Sequence, residues 1–159
     1  MTTDTYTISA NATTSHLQRV LSTNDSLAPL ALRLVGGAIF VAHGAQKLFG
    51  AFGGYGLEGT GQFFDSVGLS PGYHLALLAG AAEFFGGLAL IIGLWVRPAA
   101  SALAFAMLIA IFAVHFNKGF FLEKGGYEYA LALFGLSNSL IVSGGGRLSV
   151  DGILSQQSE

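Results

Sequence analysis

The chain has 159 residues, of which 52% are hydrophobic and only 10% charged, with a net charge of −2. Soluble domains carry about 25% charged residues, so a soluble bundle with polar outer faces is excluded, and the weak charge without a basic cluster excludes nucleic-acid binding. There is no cysteine, so disulfides and thiol exchange are outside this chain's own chemistry.

In chain order, residues 1–28 are rich in Thr, Ser and Asn and lack the basic start and apolar core of a cleaved signal. They are expected to form a disordered cytoplasmic tail, in which the sequon Asn11-Ala12-Thr13 is a chance match. Four apolar blocks follow: Leu30–Phe49, Tyr73–Trp95, Ala99–Phe116 and Tyr127–Val142. A membrane-spanning helix needs roughly 20 such residues. The expected fold class is therefore all-α, an integral membrane antiparallel bundle of four transmembrane helices over 29–143, with spans near 30–49, 73–95, 98–117 and 127–143. Residues 144–159 are expected to be a polar cytoplasmic tail.

Pro29, Pro71 and Pro98 stand at the starts of the first three blocks, where a missing N–H is tolerated. Gly125-Gly126 breaks the chain before the fourth. Between the first two spans, Thr60, Phe63, Phe64 and Val67 recur at helical spacing. They predict a short amphipathic helix lying on the membrane surface and ended by Gly68. The "RP" between spans two and three predicts a tight hairpin. Gly36, Gly37, Ala82, Gly86 and Gly87 suit close helix approach.

With four spans, Arg19, Arg33, Arg97 and Arg147 share one side, and Lys47, Lys118 and Lys124 share the other. The arginine side is expected to be cytoplasmic, with both termini there, in a bacterial cytoplasmic membrane. Arg33 is read as a topology anchor, and His16 and His74 as surface residues.

The polar residues inside the apolar blocks carry the functional signal, because ionisable groups in a bilayer are expensive and usually face the bundle interior. His43, Glu83 and His115 come from three spans at depths that agree within about 8 Å at 1.5 Å per residue. Lys47 stands one turn above His43, Lys118 follows His115, and Glu128 opens the fourth span. Structural readings stand beside the functional one. Lys47 and Lys118 could snorkel to the interface, His115 could cap a helix end, and Glu83 could hold an ion pair with Lys47 or a hydrogen bond to His43. Functionally, a histidine and a carboxylate at one depth suit proton exchange with a quinone head group. The lysines would draw in an anion such as a sulfur oxyanion. Two histidines could also ligate a haem, but a second pair is lacking and haem is not expected. No metal site is expected. A proton-coupled transporter would use similar residues, but short unbroken spans without an internal repeat argue against it.

The stretches "RLVGGAIFVAHGAQKLFGAFGGYGLEGTGQFF", "AEFFGGLALIIGLWVRPAA" and "HFNKGFF…GGYEYALALFGLSNSLIVSGGGRLSVD" together resemble the DoxX family of small bacterial membrane proteins, over roughly Arg33 to Asp151. The resemblance implies a four-helix protein of the cytoplasmic membrane. Its name comes from a membrane subunit of a thiosulfate:quinone oxidoreductase, and other members are linked to thiol and oxidative-stress complexes. By position it carries over His43, Gly44, Gln46, Lys47, Glu83, His115, Gly119, Glu128 and Tyr129, without a firm catalytic assignment. The expected function is thus a membrane subunit of a redox system. His43, Glu83 and His115 would contact or protonate a quinone, with Gln46, Lys47, Lys118, Glu128 and Tyr129 around the ligand. A redox partner subunit or a second copy would be the companions. The alternative is a non-catalytic binder, transporter or assembly scaffold.

Overall fold

The computed structural model describes residue 23 and residues 26–156, so the expectations for residues 1–22 lie outside the described residues. All the regular structure among the described residues is helical. Helix α1, Ala28–Phe49, starts with Pro29 in its first turn and is closed by Gly50 in the left-handed conformation, where a Cβ would be strained. Helix α2, Gly56–Ser66, is the short amphipathic element. Helix α3, Gly72–Ile92, ends at Gly93, also left-handed. Helix α4, Val96–Ile109, continues as a wider π-helical turn over Ala110–His115 and a 3-10 turn over Phe116–Lys118. Helix α5 is Glu128–Ser143 and helix α6 is Val150–Gln156.

Three of these, α1, α3 and α4 with its extension to Lys118, are long and apolar enough to cross a membrane. The all-helical membrane fold is therefore present. Helix α5, at 16 residues, spans about 24 Å, short of the roughly 30 Å hydrocarbon layer.

Helices α1 and α3 pack along their length because glycines bring the two backbones together. A Cβ on Gly37 would come within 2.8 Å of the Gly87 carbonyl oxygen, and one on Gly44 within 2.7 Å of the Phe84 Cα. The core beside this contact contains Phe40, Leu90, Leu103, Met107, Leu133 and Leu140.

Two expectations change on the side where α1 starts and α5 ends. Arg33 is not a surface anchor: it is 1% exposed. Its Nε donates to the Leu90 carbonyl at 2.8 Å, Nη2 to Ile91 at 3.0 Å, and Nη1 to Gly145 at 2.7 Å and Leu148 at 2.8 Å. One guanidinium thus satisfies carbonyls at the end of α3, which a helix terminus leaves unpaired, and ties them to the segment after α5. That segment is no free polar tail. Asp151, buried in α6, accepts the amide protons of Trp95 at 2.8 Å and Val96 at 2.9 Å, capping the start of α4. The hairpin consequently turns over Gly93–Trp95, with Trp95 at φ +50°, and Arg97 and Pro98 belong to the first turn of α4. Asp151 stabilises that turn by accepting two of the amides that the start of α4 leaves without an intrahelical partner.

Candidate functional site

Helix α1 places Phe40, His43, Gly44 and Lys47 on one face by the i, i+3, i+4, i+7 rule. Gly44 lets α3 approach so closely that Glu83 comes within reach of Lys47. Lys47 Nζ donates to Glu83 Oε2 at 2.6 Å, with side-chain exposures of 22% for the lysine and 5% for the glutamate. Of the partners considered for Glu83, the lysine is the one engaged. Burying two charges is tolerated only when each neutralises the other.

A cavity of about 730 Å³ opens beside this pair. His43, Gln46, Lys47, Glu83, His115, Lys118 and Tyr129 all line it. Five of these belong to α1, α3 and α5, while His115 and Lys118 stand on the extension of α4. The sequence expectation placed one further residue here, Glu128, and the structure sets it outside the lining. Glu128 Oε1 instead accepts the Leu122 amide proton at 2.6 Å, and the Glu128 amide donates to the Phe120 carbonyl at 2.9 Å. Its place at the start of α5 makes it the clamp of the loop over residues 119–127.

That loop has a direct effect on His115. Nδ1 lies 2.7 Å from the Gly125 carbonyl oxygen. A carbonyl only accepts, so Nδ1 carries the hydrogen and the neutral ring keeps a lone pair on Nε2. The π-helical turn that ends at His115 accommodates a wider hydrogen-bond spacing, a feature often found at functional sites. The His43 ring lies 5.9 Å from that of Tyr129, tilted by 53°. Gln46 Nε2 reaches the Phe52 carbonyl at 3.5 Å.

Apart from Tyr55 and Thr60, the rest of the lining is apolar. Phe40 and Met107 come from the core, Leu133 from α5, and Leu78, Phe105 and Ile109 from the outer faces of α3 and α4. Thr60, Phe63 and Phe64 of α2 also line it, so the amphipathic helix is a wall of the cavity rather than a raft on bare lipid. The sequence signal was the helical spacing of those residues, but the surface they cover was not readable from it. Among the described residues no group of three or more His, Asp or Glu is arranged to hold a metal ion.

Chemically, the cavity offers an ammonium, a phenol hydroxyl and an amide as donors. His115 Nε2 is an acceptor, and the carboxylate is held by Lys47. Such a set can hydrogen-bond both oxygens of a small ring or accept a proton at one end while donating at the other.

Comparison with known proteins agrees with the membrane fold. The DoxX family model matches residues 28–116. A protein of Bacillus subtilis (strain 168) named "Putative oxidoreductase CatD" is 34% identical over 122 residues, covering 77% of this chain and 83% of that protein. No solved structure matches. The matched residues run from the start of α1 to the 3-10 turn beyond His115, and so include α1, α2, α3 and α4, four of the helices that build the cavity. The chain belongs to the DoxX family.

Proposed function

We propose that this chain is the membrane subunit of a quinone-linked redox system in the bacterial cytoplasmic membrane, with both termini on the cytoplasmic side. The observation that carries the reading is the cavity itself, in which apolar walls meet Lys47, Glu83, His43 and His115. Its 730 Å³ falls within the roughly 300–1,000 Å³ of small-molecule sites. The fit to a quinone is good: donors and an acceptor for the ring oxygens, and apolar surface for the rest. The name of the Bacillus relative supports the same class.

A quinone, when bound, supplies an acceptor of two electrons and two protons. The roles of this chain's residues follow from their contacts. Lys47 holds a positive charge beside the ring oxygens without leaving Glu83 exposed, and so favours charge that develops there. His115 is oriented by Gly125 to present Nε2 as the proton acceptor or donor. Tyr129 and His43, packed together, present a second hydrogen-bonding pair. Lys118 at the cavity adds positive charge that favours an anionic donor or partner. The electrons come from a redox-active partner protein, because a chain without cysteine has no thiolates for an iron–sulfur centre or a dithiol.

A second reading rests on one contact: the Lys47–Glu83 pair links α1 to α3 and would hold together a scaffold or carrier equally well. Titration of the reconstituted protein with a short-tailed benzoquinone separates the two. The redox reading predicts saturable binding that weakens tenfold or more in Glu83→Gln and His115→Gln, measured below the melting transition of each variant so that the protein is folded throughout. Equal binding by parent and variants would remove these residues from the site.

A further inference from the structure

The cavity is not closed on the side between α3 and α4. On α3, Leu75, Leu78, Ala79 and Ala82 line it at i, i+3, i+4 and i+7. On α4, Ala102, Phe105, Ala106 and Ile109 line it with the same spacing. The two stripes face each other, yet Leu78 is 66% and Phe105 65% exposed on the outside of the bundle. A residue that lines a cavity and is also exposed outside marks an opening. Phe105 lies nine residues into α4, about 14 Å from its start, and Ile109 about 20 Å, so the opening sits at the depth of the hydrocarbon layer. At that depth the outside of a membrane-spanning bundle meets the acyl chains of the bilayer. Nearer the hairpin the two helices close up, since a Cβ on Gly86 would come within 3.2 Å of Leu103. Small side chains at Ala82, Ala102 and Ala106 keep the slot free where the helices part.

We infer that the ligand enters sideways from the bilayer between α3 and α4, seats a small polar head against Lys47, Glu83 and His115, and leaves a long apolar tail in the slot between Leu78 and Phe105. The inference rests on the quinone reading and extends it to an isoprenoid-tailed quinone and to its route. The outer face is walled by α2 through Thr60, Phe63 and Phe64, which leaves the lipid side as the open one. A wholly apolar occupant would leave the donors around Lys47 unmatched, and unmatched buried polar groups are costly; a headed amphiphile satisfies them.

The test uses the full chain in nanodiscs with a benzoquinone whose decyl tail ends in a photoreactive diazirine. Labelling is expected on the stretches 75–82 and 102–109, competed away by excess unlabelled decyl quinone. Labelling confined to α2, around Phe63 and Phe64, would overturn the lateral route while leaving the quinone reading intact. Equal labelling of the slot by a diazirine phospholipid, without competition by quinone, would make it a bulk-lipid crevice and overturn the inference. Ala106→Trp, and separately Ala82→Trp, should weaken the decyl quinone tenfold or more while changing the tailless ring less than threefold. Phe112→Trp, lipid-facing on the same helix but outside the cavity, should change neither. Undiminished decyl-quinone affinity in a folded Ala106→Trp would also overturn the route. A parent that binds neither quinone would refute the quinone reading itself, and the route with it.

Discussion

The ion pair between Lys47 and Glu83 sets up a double-mutant test with a defined pattern. Lys47→Met removes the ammonium but keeps the apolar stem, leaving a carboxylate that is 5% exposed beside an apolar cavity. Breaking a fully buried pair costs about 3–5 kcal/mol. Lys47 is 22% exposed, so water already solvates part of the pair, and about 2–3 kcal/mol is expected for Lys47→Met. Glu83→Gln keeps an oxygen that accepts from Nζ and should cost about 1–2 kcal/mol. The double variant places two uncharged side chains of near-native volume in the gap and should lie within about 1 kcal/mol of the parent. The coupling between the positions is then about 2 kcal/mol or more. Reversible unfolding in mixed micelles, followed by circular dichroism for the four proteins, reads these values. Additive losses, with a coupling below about 0.5 kcal/mol, would refute the claim that the two charges are held by each other. A double variant that is stable yet unable to bind quinone would show that the pair also serves the ligand.

Other parts of the molecule give independent tests. Arg33→Met keeps the buried stem but orphans four carbonyl contacts; with each such group worth about 1–3 kcal/mol and the losses not additive, a drop of about 3–5 kcal/mol in unfolding free energy is expected, and a change within 1 kcal/mol would contradict the bonding described. Gly44→Ala places a Cβ against the Phe84 and Gly80 backbones and should lose about 3 kcal/mol or more by overpacking. Gly135→Ala, with open space around it, should gain about 0.5–1 kcal/mol; equal thermal shifts for the two would refute the close-approach argument. Asp65, near the end of α2 and outside the spans, accepts from the Ser70 hydroxyl at 2.6 Å and the Gly72 amide at 2.9 Å, and these bonds hold its carboxyl below the usual value. A depressed value means its contribution is present above the ordinary carboxylate range and fades as pH falls through the lowered one. The Gly72 amide proton shift should therefore titrate below pH ~3.9 and stop titrating in Asp65→Asn; a midpoint at or above that value would contradict the contact.

Much of the fold was legible because a bilayer imposes length and polarity on any chain that crosses it. The three longest apolar blocks became α1, α3 and α4 with its extension, and the short amphipathic helix was visible as Thr60, Phe63 and Phe64 at helical spacing. The polar residues were legible as departures from that apolar rule, and their common depth placed His43, Glu83 and His115 near one another before any coordinates. Helix rotation was not legible, and with it the choice of Lys47 rather than His43 as the partner of Glu83. Arg33 misled because a lone arginine near a helix start reads as an anchor, while its four carbonyl partners lie 57 to 115 residues away and leave no pattern in the sequence. Asp151 was obscured in the same way: in a polar C-terminal stretch nothing distinguishes a capping carboxylate from a solvated one. Glu128 carries the polar character of a ligand contact, but its oxygen is occupied by Leu122. The slot between α3 and α4 depends on where two apolar helices part, which composition does not encode.

The most direct measurement is the quinone content of the purified protein. The full chain, extracted into native nanodiscs with its surrounding lipid, is analysed by mass spectrometry for quinone per chain and compared with the quinone-to-lipid ratio of the parent membrane. The account predicts enrichment toward one quinone per protein, lost in a Glu83→Gln variant that still folds and inserts. A quinone content equal to that of the bulk membrane, or the same in parent and variant, would contradict it.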